Sequence, residues 1–176
     1  HVIVQNHAHP ITRNLPAGFS YGDSMPYGPV LIPSMDSFEK QQATVLGHAN
    51  ANYFLNRSGL LVKEFGKGAA MSGVKGKRGI GDYALLWTVA LPLPAELIRE
   101  CARYAGSNIW SEEGDIIYAN DGFVSITSMK GGKRSIRLPR TCRVTDAISG
   151  KRYGRGRVKS IEVRMKPPQT RMFVLE

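Results

Sequence analysis

Apolar and polar positions along this chain follow two different rhythms, changing near residue 106. In the first stretch, short apolar runs of strand length are separated by long turn-rich connections. Val2-Ile3-Val4, Val30-Leu31-Ile32, Thr44-Val45-Leu46 and Leu60-Leu61-Val62-Lys63-Glu64-Phe65 are strand candidates. His9-Pro10 and Leu15-Pro16 interrupt regular structure, because proline lacks an amide hydrogen and restricts the residue before it. Residues 16–28 carry loop chemistry with several aromatics. Gly66 to Gly81 holds six glycines and four basic residues, which predicts a flexible loop or one ordered by a neighbour.

Tyr83-Ala84-Leu85-Leu86-Trp87-Thr88-Val89-Ala90 is a continuous apolar run, the pattern of a strand covered on both faces. Pro94 suits the start of a helix and Gly106 its C-terminal stop. Between them Leu97, Ile98, Cys101, Ala102 and Ala105 fall on one predicted face, with Glu96, Arg99, Glu100 and Arg103 on the other. Strand then helix makes one α/β unit.

After Gly106 six short strands are predicted: 115–119, 123–127, 134–138, 142–148, 158–165 and 171–175. Asn120-Asp121-Gly122, Lys130-Gly131-Gly132-Lys133, Ser149-Gly150 and Pro167-Pro168 separate them. Ile161, Val163 and Met165 alternate with Ser160, Glu162, Arg164 and Lys166, so one face is core and the other wet. The expected architecture is an α/β segment over residues 1–106 followed by a small antiparallel β-sandwich over residues 107–176.

Charge sharpens that division. Residues 1–129 carry 10 Lys and Arg against 11 Asp and Glu, whereas residues 130–176 carry 14 against 3. The formal charge of +10 therefore arises in the last 47 residues. Hydrophobic content of 42% is that of an ordinary globular chain, and no apolar run approaches the roughly 20 residues that span a bilayer. The opening His1-Val2-Ile3-Val4-Gln5 reads like a strand entered from upstream, with the chain expected to be a fragment or processed product of unassigned location.

Three stretches carry a family resemblance. His9-Pro10-Ile11-Thr12-Arg13-Asn14-Leu15-Pro16 with the later Val62-Lys63-Glu64-Phe65-Gly66-Lys67-Gly68 resembles the back half of a class I glutamine amidotransferase-like domain. That domain occurs in the trehalose-utilisation family and, in one version, trimerises certain β-galactosidases. Gly81 to Gly106 is similar to its last strand and helix. Asp115 to Asn120, Ile136 to Pro139 and Thr170 to Glu176 look like the small β-sandwich that closes such bacterial glycosidases. The resemblance implies a non-catalytic accessory or oligomerisation region of a larger carbohydrate-active protein, partnered by an upstream domain or another subunit. One departure matters: the amidotransferase nucleophile, a Cys on a sharp Gly-flanked turn, has no match, since Cys101 falls inside a helix.

Candidate chemistry is sparse. His7 and His9 share one side of an extended segment, but zinc needs a third protein ligand and none has local spacing. Glycoside hydrolysis needs two carboxyl groups about 5–10 Å apart; the cluster Glu112, Glu113, Asp115 and Asp121 reads as a solvated turn. Gly73-Val74-Lys75-Gly76-Lys77-Arg78-Gly79 misses the phosphate-loop spacing, with Met71 at the first Gly and Arg78 at the hydroxyl position. Cys101 and Cys142 read as buried thiols, with a disulfide between them left open, and Asn56-Arg57-Ser58 is a glycosylation sequon. No catalytic residue, metal or cofactor is expected. Flat rings stack on apolar sugar faces, which makes Phe19, Tyr21 and Tyr27 the candidate sugar or partner contacts. Arg134, Arg137 and Arg143 stand for the basic surface. That surface supports the alternative function, a basic module for anionic glycan or nucleic acid, with nucleic acid disfavoured because only Tyr153 and Phe173 offer rings nearby.

Overall fold

The computed structural model describes residues 1–23, 42–51, 55–66 and 82–176. The predicted strand at Val30-Leu31-Ile32, the glycine-rich segment beyond Gly66, and Tyr27 lie outside these residues. The chain divides into two compact units, His1–Ala105 and Gly106–Glu176, close to the boundary that the change of rhythm predicts. Both are rich in antiparallel β-structure. No helix among the described residues is long and apolar enough to cross a membrane.

In the first unit, β1 (Val2–Val4), β2 (Ser20–Tyr21), β3 (Thr44–Ala51), β4 (Leu55–Phe65) and β5 (Tyr83–Thr88) form a sheet in the order β2-β1-β3-β4-β5. Every pairing in it is antiparallel. Helix α1 (Ala95–Tyr104) follows β5, so the strand-to-helix succession of the sequence is present. One core cluster gathers Val2, Val4, Ile11, Leu15, Leu46, Leu60, Val62 and Leu97, burying the helix and the 11–15 turns on one side of the sheet.

Two local expectations are corrected here. β5 ends the strand order, and Tyr83 and Leu85 are 54% and 55% exposed, so the apolar run of β5 is covered on one face by the described residues rather than on both. On α1 the inward stripe is Leu97, Glu100, Cys101 and Tyr104, while Ile98 is 52% exposed. Glu100 was expected outside. It is buried because Asn14 Nδ2 donates to it at 2.8 Å and Arg103 Nε lies 3.2 Å away, which satisfies the carboxylate without water. Asn14 belongs to a distant part of the chain, a contact that helical periodicity cannot contain.

In the second unit, β6 (Ile116–Ala119), β7 (Phe123–Ser128), β8 (Gly132–Asp146), β9 (Arg152–Met165) and β10 (Gln169–Leu175) form one sheet in the order β6-β7-β10-β8-β9. The sandwich expectation is met in its antiparallel alternation but not in its layering, since the strands join a single sheet. Val124 and Ile126 of β7, Phe173 of β10, Ile136 of β8 and Ile161 and Val163 of β9 share one buried cluster, so the core runs across the strands of this sheet. Two predicted strands, 134–138 and 142–148, fuse into β8, which shifts register between Arg137 and Cys142. That irregularity lets a long strand bend across the core.

Candidate functional site

The first unit holds the candidate histidines. The turns after β1 are tied to themselves: Thr12 Oγ1 donates to the Asn6 carbonyl at 2.5 Å, and Asn6 Nδ2 donates to the Val45 carbonyl at 3.2 Å. His7 Nδ1 meets the Thr12 carbonyl at 3.1 Å, and His9 Nδ1 accepts from the Ile11 amide at 3.2 Å. The His9 ring lies 5.5 Å from the Tyr104 ring, and burial, followed by the charge of Arg13, lowers its affinity for a proton. Both imidazoles therefore fasten a turn. Among the described residues no group of three or more His, Cys, Asp or Glu side chains is placed to hold a metal ion.

Phe19 and Tyr21 are built into the structure rather than presented from it. Tyr21 is 6% exposed, its hydroxyl lies 2.8 Å from Thr88 Oγ1, and Phe19 packs against the same core. β2 is a strand within the stretch expected to be a loop, and its pairing with β1 turns the Tyr21 ring inward, whereas Phe19, just before β2, stays half-buried. Tyr104, which sequence reasoning passed over, reaches the Glu64 carboxylate with its hydroxyl. Cys101 lies within α1, and burial together with the Glu100 charge pushes its thiol up to about 11, so it stays protonated near neutral pH.

The second unit contains two inward arginines. Arg134 is 7% exposed: its Nε meets Asp115, Nη2 donates to Ser128 Oγ at 2.7 Å, and Nη1 donates to the Lys133 carbonyl at 3.0 Å. Its assignment to an outer basic surface is corrected accordingly. Asp115, read as part of a solvated turn, is the buried partner, 6% exposed. Arg171 meets Asp146 and donates to the Tyr153 hydroxyl at 2.7 Å. The Ser149 amide donates to Asp146 at 2.8 Å and, with Arg171, holds that carboxyl well below the usual range, while Asp146 keeps Arg171 firmly protonated.

The remaining cations face outward. Inward-pointing Arg134, Ile136 and Leu138 alternate with outward Lys133, Ser135 and Arg137 on β8; inward Ile161, Val163 and Met165 alternate with outward Ser160, Glu162 and Arg164 on β9. The register sets Lys133 opposite Arg164, Ser135 opposite Glu162, and Arg137 opposite Ser160. Lys133 Nζ lies 2.9 Å from Glu162, and Arg137 Nη1 lies 3.0 Å from Glu112, both pairs exposed. Arg143 is exposed beside the chain's last strand, exchanging backbone hydrogen bonds with Glu176. A shallow depression of about 450 Å³ is lined by Gly132, Lys133, Glu162, Val163 and Arg164. Lys133 and Arg164 belong to the basic last 47 residues, but their meeting across two strands depends on a register that the sequence does not display. No protein-family model, no curated protein and no solved structure matches the chain.

Proposed function

We propose that this chain is a non-catalytic accessory region of a larger carbohydrate-active protein, supplying folded surface to a catalytic domain or another subunit. The carbohydrate context comes from the resemblance of residues 9–16, 62–68 and 115–120 to parts of glycosidase-associated domains. The finer reading of residues 1–106 as the end of an amidotransferase-like domain rests on the same stretches and on the β5-to-α1 succession.

The observation that supports a scaffold role is how the interior carboxylates are spent. Glu100 is held by Asn14 and Arg103, Asp115 by Arg134, and Asp146 by Arg171 and the Ser149 amide. A general acid or base must offer a lone pair or proton to substrate. These groups give theirs to neighbours in their own unit, and the Cys101 thiol is held in its unreactive form. Fixing a fold is the use such pairs serve.

Turnover by the purified chain on aryl-glycoside substrates and on glutamine is the test. The expected result is no release of aryl alcohol or ammonia above the uncatalysed rate. Turnover that survives purification and vanishes in Glu100→Gln or Cys101→Ser would overturn the reading.

A further inference from the structure

The outer face of the β8–β9 pair places two like charges directly opposite each other, Lys133 and Arg164. Such an arrangement opposes strand pairing unless an anion lies between or above the two groups. Glu162 relieves it from one side, but the Lys133–Glu162 pair is 71% and 63% exposed, so it contributes little to folding and opens at little cost. The Arg164 side chain makes no hydrogen bond or ion pair among the described residues. The two cations flank the depression lined by Gly132, Glu162 and Val163, whose volume of about 450 Å³ falls within the roughly 300–1,000 Å³ of small-ligand sites.

Hydroxyls and one carboxylate are interleaved with this charge. Ser135 and Ser160 are outward and exposed, and Ser135 pairs with Glu162 across the strands. A nucleic-acid duplex carries a negative charge about every 1.7 Å of its axis, which a carboxylate in the middle of the face would repel. A chain of sugars carries its anionic groups farther apart, with hydroxyl donors between them that a carboxylate accepts well.

We propose that this depression binds an acidic sugar residue within an anionic polysaccharide. Lys133 and Arg164 hold its sulfate or carboxylate group, Glu162 accepts from its hydroxyls, and Arg137 extends the contact along β8. This goes beyond the accessory reading: turnover by the chain would leave it standing, and its failure would leave that reading untouched.

The test is affinity electrophoresis of the full chain in gels containing polygalacturonate, heparin or neutral dextran, with a duplex DNA arm. Retardation is expected with at least one acidic polysaccharide and not with dextran, and the two acidic arms tell carboxylate from sulfate. The retardation falls steeply from about 50 to 200 mM salt. The variant Lys133→Ala/Arg164→Ala loses roughly tenfold or more in affinity, while Arg13→Ala/Lys151→Ala, which removes the same charge elsewhere, stays within about twofold. Far-ultraviolet circular dichroism confirms that both variants are folded. Equal losses in the two variants, tighter binding of duplex DNA than of either polysaccharide, or no retardation at all would overturn the proposal.

Discussion

Replacing Arg134 by Met separates the two accounts of the basic C-terminal unit, surface charge or buried structure. Arg134 and Asp115 are 8% and 6% exposed, and Arg134 also serves Ser128, a residue with no exposure of its own. Removing one member of a buried pair leaves an uncompensated charge and costs about 3–5 kcal/mol. At roughly 0.05–0.15 kcal/mol per residue, the unit spanning Gly106–Glu176 has about 4–11 kcal/mol of stability in total. The single variant should therefore lose a large share of it. Arg134→Met/Asp115→Leu removes both charges and should recover most of the loss, because a well-packed apolar pair often does as well as a buried ionic one. Urea unfolding followed by fluorine NMR of fluorotryptophan-labelled chain reads this unit through Trp110, which packs on its core, apart from Trp87. A single variant within about 0.5 kcal/mol of the parent would put Arg134 in effect on the surface and refute the reasoning. So would a double variant no more stable than Arg134→Met.

Three further outcomes are expected. The Asp146 carboxyl is held low in the folded state, so its stabilisation is complete above the ordinary carboxylate pKa and disappears as pH falls below about 4. Thermal melts of Asp146→Asn should accordingly show a shallower acid slope than the parent, and identical slopes would argue against the Ser149 and Arg171 contacts. Alkylation of Cys101 should keep accelerating up to about pH 11, whereas Cys142, fully buried, should react only on unfolding; mass spectrometry after timed quenching reads both. Gly154 has φ +78 and an added Cβ would lie 2.5 Å from Val158 Cγ1, so Gly154→Ala should cost about 1–3 kcal/mol, while Gly156→Ala, with nothing within 4 Å, should cost far less. Equal denaturation midpoints for the two variants would refute that contrast.

Periodicity carried the parts of this fold that depend on near neighbours. The β5-to-α1 unit, the alternation along β9 and the division near residue 106 follow from spacing within a dozen residues. What spacing could not carry are pairings made at a distance. Glu100 looked like a solvent residue until Asn14 came to meet it, and Arg134 looked like surface charge until Asp115 did. The continuity of β8 was hidden for a related reason, since the stretches either side of Pro139 read locally as two separate strands. The candidate site divides the same way. The basic composition was plain, but the outward members and their cross-strand neighbours required the register.

The last strand has a consequence for how the protein is made. β10 hydrogen-bonds to β7 on one side and β8 on the other, although it is the final element of the unit to be synthesised. Until Phe173 and Leu175 clear the ribosome, the two hairpins before them lack the piece that joins them. Each then carries a bare row of amides and carbonyls that a second nascent chain could capture. Joining the two hairpins into one sheet therefore requires the strand that comes last in the unit. A truncation before Gln169 would leave two separate adhesive ribbons instead of a slightly smaller domain.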